Sequence, residues 1–350
     1  MTRAMPLVEK LCCAECFGDR HLREEIIPTL SECTGRCSFC KATNQQLVTP
    51  RSLGDQFGAV IGVYVPDDEG GRPLVEWLMG DWLIFKTASM SAEKAQILLA
   101  EILDDGEIVR RNFSPSEQCQ TVNLDRWRDL KEELQHRNRF FPDSDFNKER
   151  LAELLDQLLL DSIYLPTQWF RARIVKDGRQ FGADEMGAPP KMRAGQGRAN
   201  PAGIPYLYLA SSKKTAVAEV RPHPGETVCV GTFNTPDNLK IADLRNPRAS
   251  ISPFQFDDSD LPALRGDVEF LENLGAELTR PVVPTAAAIN YIPSQYLCEF
   301  IKKQGFDGVA YASSIEAGMN LALFNPDISA EPDVETVIIE SVSVRYRLYD

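Results

Sequence analysis

The sequence lacks long apolar runs. No stretch of about 18 apolar residues occurs in it, so no membrane-spanning helix is expected. The opening MTRAMPLVEKLCCAEC likewise has no apolar core of the kind a secretory leader needs. The chain therefore reads as cytoplasmic. Positive charge is also scarce. With 38 Lys and Arg against 51 Asp and Glu, the net charge is -13, a field that opposes a nucleic-acid backbone unless a local basic patch works against it. Up to Asp156 acids outnumber bases and the bases are scattered, so no nucleic-acid partner is expected there. Repeats and low-complexity tracts are missing as well, which excludes a repeat array.

What is present is enough apolar material for a sizeable core. At 350 residues and 43% apolar content the chain is long enough for two domains. Six of its nine cysteines fall at Cys12, Cys13, Cys16, Cys33, Cys37 and Cys40. Cys13 with Cys16 and Cys37 with Cys40 form two CxxC pairs with 20 residues between them, the pattern of a four-thiolate zinc site. Thiolates on tight knuckles suit a tetrahedral ion, and a closed set of four leaves no position for substrate, so the zinc would be structural. Free or redox-active thiols are the competing reading, and Cys12 or Cys33 could replace one ligand. Cys119, Cys229 and Cys298 stand alone and are expected to be buried.

Apolar GAVIGVYVP and PLVEWLMGDWLIF follow, and their pattern does not separate strand from buried helix. SAEKAQILLAEILDDG is a helix capped by Ser91, with Ala95, Leu98, Leu99 and Ile102 on one face and Gly106 as its stop. Leu151, Leu154, Leu155, Leu158 and Leu159 follow helical spacing after Asn147 and mark core or an interface. Beyond DSIYLPTQWF the texture becomes β-rich, in YLYLA, TVCVGTF, LKIADL, GVAYA, NLALF and ETVIIESVSVRYRLY. A boundary near residue 164 gives a cysteine-bearing, mainly helical domain over 1–163, with its zinc knuckle at 12–40, and a second domain over 164–350. The fold class is α+β.

The second domain reverses the local charge. Residues 166–221 carry ten basic side chains and four acids, a concentration that suits a small phosphorylated ligand, because arginine forks bind phosphate oxygens in pairs. An ordinary solvated basic surface is the alternative. In YLYLA the period of two puts Tyr206 and Tyr208 on one face and Leu207 and Leu209 on the other. Ser211 or Ser212 can cap the helix KKTAVAEV, which Pro222 would close. Glu219 then sits near its C-terminus, where the helix dipole disfavours a carboxylate. A carboxylate so placed is either a structural ion-pair partner or a functional group.

The segments WFRARIV, MGAPPKMRAGQGRANPAGIPYLYLASSKKTAVAEVRP and YIPSQYLCEFIKKQGFDGVAYASSIEAGMNLALF resemble, in order, the RES domain family over about residues 165–330. The first segment of the chain resembles a cysteine-bearing domain found ahead of RES or HEPN effector domains. HEPN ribonuclease activity itself is not expected, because Arg128 stands eight positions before His136, too far for that family's motif. The RES resemblance implies an ADP-ribosyltransferase-like fold and toxins of toxin–antitoxin pairs that act in bacterial defence and consume NAD. They do so as NAD phosphorylases, as hydrolases, or as transferases of ADP-ribose to a protein. Carried over by motif, the site residues are Arg171, Arg198, Tyr208, Glu219 and Ser313, with Ser314 as the alternative serine and Asn320 beside it. Many members carry an aromatic residue where Ala199 stands, which leaves the shape of that wall open.

On that resemblance NAD is the substrate and an antitoxin, a regulatory protein or a second copy of the chain is a partner. Glu219 would stabilise positive charge on the ribose as nicotinamide leaves, or act as a general base. Arg171 and Arg198 would hold the diphosphate, Tyr208 would stack on the nicotinamide, Ser313 would bond a ribose hydroxyl or the carboxamide, and Asn320 would orient that serine. The reading from a different class is a pocket that binds a nucleotide without turning it over.

Overall fold

The computed structural model describes residues 10–119, 122–160, 164–328 and 331–343. Its backbone contacts fall into two compact units, one running up to Asp125 and including Arg248–Phe270, the other made of Arg126–Pro247 with Leu271 onward. Among the described residues no helix is long and apolar enough to cross a membrane.

In the first unit the cysteine segment is folded around a small sheet. Strand Gln45–Val48 pairs antiparallel with Cys12–Cys13 on one side and with Cys33–Gly35 on the other. GAVIGVYVP divides between the end of helix Gly54–Ile61 and strand Tyr64–Pro66, and PLVEWLMGDWLIF begins as helix Leu74–Asp81. Helix Ala92–Leu103 is capped as expected, with the Ser91 side chain accepting from the Lys94 N–H at 3.4 Å and Ala95, Leu98, Leu99 and Ile102 buried. Its stop is Asp104 in the left-handed region (φ 51°), not Gly106. Aspartate is among the few residues enriched in that conformation, so a glycine is not required, and here its carboxylate accepts from Arg51.

In the second unit helix Lys148–Gln157 is capped by Asn147, whose side chain accepts from the Arg150 N–H at 2.9 Å, and Leu151, Leu154, Leu155 and Leu158 are buried. Leu159 departs from the expected stripe and is 45% exposed. The helix has already ended, and the Leu159 backbone bridges to Ala242, which breaks the helical period.

The remaining chain builds a sheet of seven described strands in the order Ile241–Asp243, Gly308–Ala312, Met319–Leu323, Leu207–Ala210, Gln168–Ile174, Thr227–Asn234 and Asp333–Ile338. Only the first pair is parallel. Six of these strands match expected β-runs. Of the last run, ETVIIESVSVRYRLY, the residues after 343 lie outside the described residues. Strand alternation sorts the core. Trp169, Leu207, Leu209, Ala310, Leu321 and Leu323 pack in one cluster, whereas Ala172, Ala210, Val228 and Val230 pack in another with Ala216 of helix Lys213–Glu219.

One ladder is nearly absent. Gln168–Ile174 pairs with Thr227–Asn234 along its whole length, but with Leu207–Ala210 only at Phe170↔Ala210. The sheet is therefore split between these two strands.

Candidate active site

The split is occupied by a cavity of about 550 Å³. Phe170, Arg171 and Ala172 line it from one strand and Tyr208, Leu209 and Ala210 from the other. Interrupting the ladder opens backbone and side chains to a ligand without opening the core behind them.

Helix Lys213–Glu219 brings the acid to this cavity. Ser212, one of the two expected caps, accepts from the Thr215 N–H at 3.0 Å. The helix ends at Glu219 with Val220 as its C-cap and Arg221 left-handed (φ 51°), so termination precedes the expected stop at Pro222. Glu219 Oε1 accepts two hydrogen bonds, from Ser313 Oγ and from Asn320 Nδ2, both at 2.7 Å. Glu219 forms no ion pair among the described residues, so the structural reading of this acid as one half of a salt bridge has no support. Two neutral donors on one oxygen orient the carboxylate and leave Oε2 without a partner among the described residues. Asn320 is thus a direct partner of the acid, and Ser313, not Ser314, is the serine bonded to it.

Arg171 supplies the opposite charge. Its Nη1 is buried and has no hydrogen-bond partner among the described residues. Burial, reinforced by the neighbouring Arg173 guanidinium, pushes its pKa down to about 10, so it remains a cation at neutral pH. A buried guanidinium N–H without a partner is costly unless an acceptor completes it. Arg198 also lines the cavity, but it is partly committed: Nη1 donates to the Arg280 carbonyl at 2.6 Å and the guanidinium lies 5.4 Å from the centroid of the Tyr291 ring.

Tyr208 does more than line a wall. Its hydroxyl accepts from the Ala199 N–H at 2.9 Å and donates to Asn200 Oδ1 at 2.7 Å, tying the strand to the glycine-rich loop. Ala199 is fully buried against that anchor. A Cβ on Gly197 would collide with both the Tyr208 hydroxyl and Asn200 Oδ1, which is why the loop needs glycine there. Leu207 and Leu209 enter the core cluster as expected, but Tyr206 precedes the strand and does not share the cavity with Tyr208. Tyr206 is buried beside Phe324 and Lys302, away from the cavity lining.

Sequence reading missed the far wall and the loop's support. Tyr291, Tyr311, Gln196 and Arg221 also line the cavity. From helix Ile292–Lys303, Ser294 donates to the Arg198 carbonyl at 2.6 Å and Gln295 to the Gly197 carbonyl at 2.8 Å. Period two places Tyr311 on the face of Ser313 and opposite Asn320, a signal available in GVAYASS once Ser313 is singled out. Nothing local in YIPSQYLC points to the loop it supports.

In the first unit Cys13, Cys16, Cys37 and Cys40 converge, their sulfurs all within 4.8 Å of one another. Cys13 and Cys40 lie 3.5 Å apart and Cys16 and Cys37 3.4 Å, and the Phe39 N–H points at Cys37 Sγ at 3.4 Å. Four soft donors at that spacing, with an amide donated to a sulfur, fit a tetrahedral metal ion. Cys12 is buried with its thiol pushed up by burial, and Cys33 is exposed; neither joins the four. Cys229 and Cys298 are buried, but Cys119 is only partly so, contrary to expectation.

Comparison with known proteins agrees with the motif reading. The family model described as the RES domain matches residues 168–346, just over half of the chain. No curated protein matches. A chain of the crystal structure of the M. tuberculosis MbcT-MbcA toxin-antitoxin complex is similar at 15% identity and a TM-score of 0.32, with 55% of this chain and 92% of that chain covered. The order of motifs, the cavity they share and the family match together make this chain a member of the RES domain family.

Proposed function

We propose that this protein is an NAD-consuming effector that breaks the bond between nicotinamide and ribose, with residues 164–350 carrying the chemistry. The observation that carries the reading is one cavity holding a half-buried cation, Arg171, whose Nη1 has no partner among the described residues, and an oriented acid, Glu219. A dinucleotide needs both. Its diphosphate satisfies the arginine, with Arg198 and Arg221 available at the same cavity, and its ribose faces the carboxylate.

The chemistry follows from charge. As nicotinamide departs with the bonding electron pair, the ribose becomes an oxocarbenium-like cation. A fixed carboxylate stabilises that state more than the neutral sugar before it. Ser313 and Asn320 hold Oε1, so Oε2 is the oxygen presented to the sugar or to an attacking nucleophile. Because that carboxylate is already oriented, little reorganisation is required as charge develops. Tyr208 maintains the glycine-rich loop that carries Arg198, and Ser314 is kept only as a secondary contact.

The first 163 residues are, on this reading, a zinc-stabilised domain for a regulatory partner such as an antitoxin. The test is incubation of purified protein with NAD, with and without phosphate. Free nicotinamide with ADP-ribose indicates hydrolysis; nicotinamide with ADP-ribose 1″-phosphate, formed only when phosphate is supplied, indicates phosphorolysis; label on protein indicates transfer. Intact NAD in every arm, or undiminished activity in Glu219→Ala, overturns the reading.

A further inference from the structure

Of the two tyrosines that YLYLA and YASS place on the cavity, Tyr208 and Tyr311, only one has a hydroxyl to give to a ligand. Tyr208 spends both its acceptor and its donor on the loop. Tyr311 has no such engagement. It is 5% exposed, lines the cavity, and makes no side-chain hydrogen bond with any described residue, yet its oxygen is not among the sealed, unpartnered atoms. The contrast with Tyr206 is informative, because the Tyr206 hydroxyl is sealed and unpartnered. The Tyr311 oxygen therefore keeps access to the cavity.

Its position is central. Tyr311 stands directly across the ladder from Asn320, one of the two donors that hold Glu219. Glu219, Arg198 and Tyr291 line the same cavity. Burial first, and then the Glu219 carboxylate, push its pKa up, so the group is a protonated donor at neutral pH.

We propose that Tyr311 is a further substrate-binding residue, its phenol donating a hydrogen bond to an oxygen of the sugar that faces Glu219. This rests on the dinucleotide reading above and assigns recognition of the reacting end to a side chain outside the five carried by the family motifs. Tyr208 is correspondingly a positioning residue for the loop. The hydrogen bond is made to the sugar in both ground and transition states, so it contributes to affinity more than to turnover.

The experiment compares wild type, Tyr311→Phe and Tyr208→Phe for calorimetric binding of ADP-ribose, steady-state consumption of NAD, and thermal melting. Tyr311→Phe should keep the wild-type melting temperature, weaken ADP-ribose binding and raise KM by about fivefold, and change kcat by less than about twofold. Tyr208→Phe should instead lower the melting temperature. An independent readout uses wild-type protein labelled with ¹³C at tyrosine Cζ, where the resonance assigned to Tyr311 should shift on adding ADP-ribose. Unchanged affinity in Tyr311→Phe, or an unmoved resonance with ligand bound, overturns the inference and leaves the proposed function standing. Failure of wild type to bind ADP-ribose or consume NAD overturns both.

Discussion

Ser313 and Glu219 lie 94 positions apart in the chain and are joined by a 2.7 Å hydrogen bond from Oγ to Oε1. Together with Asn320, which reaches the same oxygen, the serine acts on the acid, a more specific role than a contact to substrate. Ser313→Ala and Asn320→Ala should each lower kcat/KM for NAD by about tenfold, the size of one hydrogen bond to a charged group. The double variant should lose less than the product of the two, because both act through one oxygen. Steady-state kinetics on the four-protein cycle check this, and full additivity would separate the two side chains.

Arg171 should cost the free protein stability. Its buried Nη1 has no partner among the described residues, so replacing the guanidinium with an apolar chain of similar length removes an uncompensated charge. Arg171→Met should melt at or above the wild-type temperature in phosphate-free buffer. The same variant should no longer gain melting temperature from ADP-ribose, which stabilises wild type by mass action. Lower intrinsic stability in Arg171→Met would mean that the guanidinium is satisfied in the free protein.

The glycine-rich loop has one position that tolerates no side chain. Gly197→Ala should push the loop from Tyr208 and Asn200, with a loss of stability of about 1–3 kcal/mol and a larger loss of NAD consumption. Gly195→Ala, where a Cβ meets nothing within 4 Å, is the matched control and should change little.

Acid stability should depend on Glu133. The Ser144 hydroxyl, then the Asp143 and Ser144 backbone N–H groups, hold its pKa at about 2, below the ordinary 4.5. With the folded value below the unfolded one, the contribution is complete above about pH 4.5 and is lost as pH falls towards 2. Glu133→Gln should therefore be less stable than wild type at neutral pH and converge on it in acid, as followed by denaturant midpoints across pH.

Metal content should be one ion per chain, and zinc is the ion expected for four thiolates. Cys37→Ser should lose it and destabilise the protein, as should a strong chelator, because binding free energy at such a site is folding free energy. Cys33→Ser, outside the four, should retain the metal.

The sequence alone determined whatever is local or periodic. The CxxC pairs, the caps at Ser91, Asn147 and Ser212, and the alternation that sends Leu207 and Leu209 into the core all follow from spacing and side-chain chemistry within a few residues. The motifs single out Arg171, Arg198, Tyr208, Glu219 and Asn320, which all line the cavity, and Ser313, which reaches it through its bond to Glu219. Only the tertiary structure decided their roles, because a role depends on partners distant in the chain. The near absence of a ladder beside Gln168–Ile174 creates the cavity, and no property of either strand taken singly encodes it. Two donors converge on one Glu219 oxygen, Tyr208 is consumed by its loop, and Tyr311 bonds no other described side chain. Hydrogen-bond satisfaction belongs to the folded whole, since each donor and acceptor has one set of bonds to give and only packing determines where they go.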